Sequence, residues 1–507
     1  MTTATITLAG DGVSIADLVR VARAAAPVAL HADARARVVQ ARAVVDRLVA
    51  SDESIYGLTS ALGANTGRVI PEGERSAYQV RAVRARAVGV GPAFATEVVR
   101  AMMFARLAGM AVGGSGVSPA VLDALMAMLN AGVHPVVPSI GSIGVADLAP
   151  LSHLALPLVG EGQAEFRGEV LNGREALVRA GLQPVALGPK DGLALISANA
   201  ATVGHAALVL YDTAAALDNF NVAAALSFEA FRANLSPLDA RVQAARPARG
   251  QVATAERLRN LLEGSGLWQA DAARRVQDPL SLRCVTQVHG AALAALRMAR
   301  DDVELELNSA ADSPLVLVHD DQMLSSGNFH IPALALAFDG LGLALAQVAM
   351  LGVMRCQKLY NPALSGLPLQ LTALGPAHSG FATVQKTLTS LYDQIRHLAN
   401  PTSLDGLPVS EAVEDHAPMA PNAIAHVAAM LPLLRYLAAI ELLSAAQASD
   451  LRPVSAATMG CGAAATYEAL RGAVPVLVED RPLGPDIDAV AALIVAGKLP
   501  MADLLAR

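Results

Sequence analysis

A chain of 507 residues with a formal net charge of -7 and no basic run lacks the clustered Lys and Arg that displace counterions from nucleic acid. Hydrophobic residues make up 53% and aromatic ones only 3%, so Ala, Val and Leu carry the apolar content and favour helices over sheets. Three widely spaced cysteines, Cys284, Cys356 and Cys461, read as reduced, buried thiols, and no basic-then-apolar leader opens the sequence; both features predict a cytoplasmic protein.

In chain order, Ser14 predicts an N-cap for a helix from Ile15 towards Ala25, ended by Pro27. Val38, Val45, Leu48 and Val49 recur at helical spacing in a second helix. Tyr56-Gly57-Leu58-Thr59-Ser60-Ala61-Leu62-Gly63 is rich in small residues and has no periodicity, the pattern of an irregular, mobile loop. Helices are expected over Glu97–Met110 and Pro119–Ala131, then a proline-bounded turn from His134 to Pro138 and a short hairpin near Gln163–Val170. Gly192–Tyr211 carries no charge and is long enough to cross a bilayer. Its Ser197, Asn199, Thr202, Gly204 and His205 suit a helix buried in protein instead, so no membrane partner is expected.

Long helical runs follow over Ala206–Ala233, Pro332–Lys358, Phe381–Leu398 and Ile424–Ala448, with Pro432 expected to kink or interrupt the last. Pro485 opens a final helix striped with Ile487, Val490, Leu493 and Ile494 and capped by Gly497. The predicted fold class is all-α. An irregular N-terminal domain covers residues 1–200, and a long-helix core with a C-terminal helical domain covers 201–507. A mean hydropathy of +0.42 points to helix surface buried between subunits, or simply to an alanine-rich genome.

Several ordered segments carry a resemblance. They include Tyr56 to Gly63, Gly141-Ser142-Ile143-Gly144-Val145-Ala146-Asp147-Leu148-Ala149-Pro150-Leu151, and Gln277-Asp278-Pro279-Leu280-Ser281-Leu282-Arg283-Cys284. Glu306-Leu307-Asn308-Ser309, Gly327-Asn328-Phe329-His330 and Glu414-Asp415-His416 with Met419 continue the series. The chain resembles the histidine and phenylalanine ammonia-lyases, the aromatic amino acid ammonia-lyase family, from its first helix to its last.

That resemblance implies a bundle of long central helices and a homotetramer whose active sites combine residues from different chains. It implies Tyr56 as the general base that removes a β-proton, although a free phenol has a pKa of about 10 and needs burial near a cation to ionise. A structural loop tyrosine is the other reading. Arg283 matches the clamp for a substrate carboxylate, for which its planar fork is suited, and an internal ion pair is the alternative. Asn308 and Gln277 match polar pocket residues, and Phe329 matches an aromatic wall or is simply core. Glu414 matches a catalytic pocket carboxylate or caps a helix start. Arg86 falls at the ring-selectivity position or is an exposed helical charge beside Arg81 and Arg84.

The departures are concentrated. Where the family carries an Ala-Ser-Gly triplet that cyclises to methylidene-imidazolone, this chain has only Val145-Ala146 between Gly144 and Asp147. Leu280 stands for a pocket tyrosine, and Ser197 for an asparagine that lies against the imidazolone; Asn199 is two positions on, about 200° round a helix. The expectation is therefore an enzyme without that cofactor, acting on a small carboxylate substrate by elimination, isomerisation or hydrolysis. A ligand-binding pseudoenzyme and a subunit completing an intact paralogue are the alternatives. His153, His289, His330 and His416 show no ligand spacing, so no metal is expected.

Overall fold

The computed structural model describes residues 4–50, 55, 57–61, 68–452 and 455–506. It is 59% helix and 7% strand, the all-α class expected from the composition. The chain divides into two units. One comprises Met1–Tyr211, Ala299–Phe338 and Thr402–Ile424, and the other Asp212–Met298, Asp339–Pro401 and Ala425–Arg507. The expected two-part cut at residue 200 is thus replaced by an interleaved one, because four of the five breaks fall inside long helices that run on through the boundary.

In the first unit, β1 (Ile6–Leu8) pairs in parallel with β2 (Val28–Leu30). Helix α1 (Ile15–Ala24) begins at a capping box: the Ser14 hydroxyl accepts from the Asp17 N–H at 3.2 Å, and the Asp17 carboxylate accepts from the Ser14 N–H at 3.2 Å. Helix α2 (Ala32–Val49) buries Val38, Val45 and Leu48. Helix α3 (Arg75–Arg84), strand β3 (Val90–Ala93), helix α4 (Thr96–Val112) and helix α5 (Pro119–Ala131) follow. The proline-bounded turn is in fact two strands of separate sheets: β4 (Val133–Pro135) pairs with the later hairpin, and β5 (Pro138–Ile140) pairs with β3.

Helix α6 (Leu148–Ala155) leads to the hairpin of β6 (Gln163–Phe166) and β7 (Glu169–Asn172). Its two-residue turn puts Arg167 and Gly168 at φ 52° and 82°, as a primed turn requires. Helices α7 (Gly173–Arg179) and α8 (Asp191–Ile196) come next.

Helix α9 spans Ala200–Phe231, starting six residues before the expected Ala206. The second unit adds α10 (Ala240–Ala245), α11 (Arg249–Leu261), α12 (Leu280–Arg283) and the first part of α13 (Val285–Leu307), which passes into the first unit after Met298. Strands β8 (Leu315–Leu317) and β9 (Gln322–Leu324) form a hairpin in the first unit. Then come α14 (Pro332–Tyr360), α15 (Pro362–Ser365), α16 (Val384–Leu398), α17 (Ala420–Asp450), α18 (Cys461–Ala473) and α19 (Gly484–Val495). Helix α17 continues through Pro432 without interruption; that position is exposed, so the carbonyl it leaves without a donor can take a water hydrogen bond.

In the second unit the long helices pack around a fully buried ion pair. Arg355 on α14 donates two hydrogen bonds to Glu441 on α17, at 2.5 and 3.0 Å, and Ser227 on α9 donates a third at 2.9 Å. Three donors on the one carboxylate help to make a buried charge pair tolerable. Three stretches, Asp191–Phe231, α14 and α17, are long and apolar enough to cross a membrane by length and composition; in the first, 94% of the most apolar window is buried inside the protein. All three cysteines are free, but only Cys356 is buried; Cys284 is half-buried and Cys461 exposed, which corrects the expectation of three buried thiols.

Candidate active site

The segment Gly141–Asp147 is fastened on every side within the first unit. Asp147 is fully buried and accepts from the Thr202 N–H at 2.7 Å, the Thr202 hydroxyl at 2.7 Å and the Ser142 hydroxyl at 2.8 Å. Its own N–H donates to Ala198 C=O at 2.6 Å. Asn199 stands at the cap position of α9 but its side chain is given to Glu306, and Asp147 supplies the side-chain acceptor for the Thr202 N–H in the first turn. Burial raises the pKa of this carboxyl, opposed by the bonds from Thr202 and Ser142.

Ile143 C=O accepts from the Met419 N–H at 3.1 Å, and Val145 forms an isolated antiparallel bridge with His330. A Cβ at Gly144 would meet Pro418 at 3.1 Å and Pro421 at 3.2 Å; that glycine also sits at φ 80°, so close approach and conformation both exclude larger residues. Ala146 adopts φ 48° without being glycine, a strained position inside the altered stretch.

Around this segment the fold gathers several expected residues. Ser197 ends α8, and its hydroxyl donates to Ser313 C=O at 3.3 Å. Asn199 is turned away to Glu306, donating at 2.7 Å, so it does not take the role that Ser197 vacates. Phe329 is half-buried in the loop before α14 and is not a core residue. Next to it, His330 lies 2.8 Å from His416, ring nitrogen to ring nitrogen. Burial and the neighbouring His416 lower the His330 pKa.

Glu414 stands two residues before His416 and accepts from Ser410 at 3.1 Å; it lies in a loop six residues before α17, not at a helix start. Arg86 is half-buried. Whereas Arg81 pairs with Glu74 and Arg84 with Glu161, Arg86 reaches only Ala82 C=O at 3.1 Å and has no carboxylate among the described residues. Three residues on, the Gly89 N–H donates to His153 at 3.1 Å, and Gly89 Cα would lie 3.2 Å from a Cβ at Gly141.

The second unit carries the remaining group. Gln277, Asp278 and Arg283 line a cavity of about 220 Å³ with Asn234, Ser236 and Val276. The half-buried Arg283 guanidinium has no ion pair or hydrogen bond among the described residues, which removes the internal ion-pair alternative there. Leu280 is 60% exposed at the first turn of α12. Asn308 is committed elsewhere: its amide accepts from the Val13 N–H and donates to Val13 C=O, both at 2.8 Å, and to Glu304 C=O at 2.7 Å, so it anchors the N-terminal segment instead of facing a pocket. Tyr56 lies outside the described residues. No group of three metal-binding side chains occurs among the described residues.

Reading the sequence missed two buried groups next to these residues. Gln79 joins α8 to Gly57, and its partners lie too far along the chain for any local pattern to announce them. Lys190, at the start of α8, is fully buried with no hydrogen-bond partner among the described residues, and burial pushes its amine down to about 8, with nearby Asp312 partly opposing. An unfolded lysine holds its proton to the ordinary 10.5 and the folded one only to about 8. Between those pH values the unfolded state binds the extra proton, so stability should rise with pH across that window by about 3 kcal/mol. Urea unfolding at pH 8 and 10 checks this, and Lys190→Met should remove that part of the slope.

Residues 13–472 match the aromatic amino acid lyase family. The chain is 39% identical to a histidine ammonia-lyase of Alkaliphilus oremlandii, covering 97% of each, and 40% identical to one of Symbiobacterium thermophilum, covering 97% of this chain and 96% of the relative. Among solved structures it is similar to the ergothioneine-degrading ergothionase of Treponema denticola, with a TM-score of 0.94, 34% identity, and coverage of 98% and 100%. It is also similar to histidine ammonia-lyase of Trypanosoma cruzi, with a TM-score of 0.89, 30% identity, and coverage of 99% and 97%.

These findings correct two expectations. Relatives near 40% identity over nearly the whole chain carry the name of a conventional ammonia-lyase, which overturns the cofactor-free enzyme, the pseudoenzyme and the helper subunit. The expectation that methylidene-imidazolone is absent falls with them, as do hydrolysis and isomerisation. At the level of residues, Val145 and Ala146 carry no hydroxyl to eliminate and do not fit a ring built from Ala-Ser-Gly, so no step below passes through that group.

Proposed function

Because the chain belongs to the aromatic amino acid lyase family, we propose that it eliminates ammonia from an imidazole-bearing α-amino acid, histidine first, leaving an α,β-unsaturated carboxylate. The observation that carries this reading is Arg283, a half-buried guanidinium that lines a cavity with Gln277 and Asp278 and has no ion pair or hydrogen bond among the described residues. A cation left in that state is completed by a ligand carboxylate, which its fork can hold in two parallel bonds. Tyr56 takes the β-proton, the C–H electron pair becomes the Cα–Cβ double bond, and the C–N pair leaves with the amine. In this reading different copies of the chain complete one site: Glu414, Phe329 and Ser197 of one copy orient and enclose the imidazole, and Gln277 and Leu280 accompany Arg283 of another. Arg86 meets a polar edge of the substrate.

A homotetramer with shared sites belongs to the same reading. Leu336, Leu343 and Met350 recur every seventh residue on α14 and are exposed, as are Met298 and Leu305 on α13. Val276 is 95% exposed beside the Arg283 cavity, and Leu404 is 90% exposed in the loop before Glu414. Apolar surface in those places supports burial against other copies of the chain. A solution mass of four chains tests it.

A second substrate is favoured by the likeness to ergothionase. In ergothioneine the α-nitrogen is already quaternary, so it departs as neutral trimethylamine with the same clamp and base. The test is to supply histidine and ergothioneine separately and identify the amine released. Ammonia from histidine supports the first reading, and trimethylamine from ergothioneine alone moves it to the second. Release from neither overturns both.

A further inference from the structure

We infer that Gln79 is a positioning residue, a latch that fixes the Ile55–Ser60 loop against the helix that ends in Ser197. The loop is knotted on one acceptor. Ile55 C=O takes the N–H groups of Leu58, Thr59 and Ser60 at 3.1, 3.1 and 3.0 Å and the Ser60 hydroxyl at 3.1 Å. The Ile55 N–H donates to the Thr59 hydroxyl at 2.7 Å, and the Gly57 N–H to Ser60 C=O at 2.9 Å. Gly57 C=O takes its bond from outside the knot, from the Gln79 side-chain N–H at 3.3 Å.

The other end of the same amide accepts from the Leu193 N–H at 3.2 Å, one of the donors that the first turn of α8 leaves without a helical partner. Leu193 C=O in turn accepts from the Ser197 N–H at 2.8 Å. An unbroken chain of hydrogen bonds therefore joins the residue after Tyr56 to Ser197. Gln79 is 1% exposed, and a Cβ on Gly192 would fall 2.5 Å from the Gln79 backbone oxygen, so α3 and α8 meet backbone to backbone and the amide has nowhere else to turn. Only a side chain with a donor and an acceptor on one carbon bridges these two groups. The catalytic consequence rests on the reading of Tyr56 as base: slack in the latch moves the base relative to the pocket floor, and a displacement of about 1 Å is worth about 10²-fold in rate.

Two variants test this, each assayed with whichever of histidine or ergothioneine releases its amine. Gln79→Met removes both bonds and should lower kcat about 10²-fold with KM unchanged. It should also speed hydrogen exchange in the peptide covering residues 55–61. Gln79→Glu copies the amide while its carboxyl is protonated, a state that burial favours. Its kcat relative to the parent should fall as pH rises, a dependence that a merely structural role would not produce. Should Gln79→Met fail to fold, Gln79→Glu decides alone: a pH-independent ratio to the parent overturns the latch. Parental kcat and parental exchange in Gln79→Met overturn it as well. Tyr56→Phe runs alongside. If that variant keeps its kcat, the base reading fails and exchange over 55–61 alone decides the latch, faster exchange supporting it and parental exchange overturning it.

Discussion

Arg283→Ala is expected to raise KM for the amino acid substrate by roughly thirty-fold to a few thousand-fold, the equivalent of about 2–5 kcal/mol. Truncation removes both donors of the fork and leaves the substrate carboxylate entering a cavity of about 220 Å³ with no cation in contact. Because Arg283 has no partner of its own among the described residues, its loss breaks no internal ion pair, and the thermal midpoint of the free protein should hardly move. Arg283→Lys should recover only part of the loss, since an ammonium supplies charge without the planar fork. Steady-state kinetics with a thermal melt of each variant checks both halves of the expectation.

Tyr56→Phe should do the opposite: kcat falls by about 10²–10⁴-fold while KM changes little. The ring and its packing remain, and only the proton acceptor is lost. Measurement at saturating substrate separates this outcome from a binding defect. Together the two variants divide the site into a part that holds and a part that reacts.

What was legible along the chain was what lies close along the chain. The capping box joins Ser14 to Asp17 over three residues, and α1 is read correctly from it. The side-chain acceptor in the first turn of α9 is not legible in this way, because Asp147 lies 55 residues upstream of Thr202. Asn308 sits in a motif that points to a pocket, yet its amide is claimed by Val13, 295 residues away. His330 and His416 show no ligand spacing and nevertheless meet across 86 residues. Gln79 looks like any polar residue on a helix until its partners, 22 and 114 residues distant, are in place. The Val145-Ala146 stretch stands out as a departure, but it does not outweigh the rest of the chain, which keeps the family's frame and is matched nearly throughout by relatives named for ammonia release.

The central claim is amine elimination across the α and β carbons of an imidazole-bearing amino acid. Mass spectrometry of the product from histidine labelled with deuterium at the β-carbon and nitrogen-15 at the amine tests it most directly, with ergothioneine labelled at the β-carbon in parallel. The expected product is a conjugated acid lighter than the substrate by one amine and lacking one β-deuterium, formed at a rate that collapses in Arg283→Ala and Tyr56→Phe. A product that retains its nitrogen, a product that gains water, or two substrates returned with every label in place would contradict it.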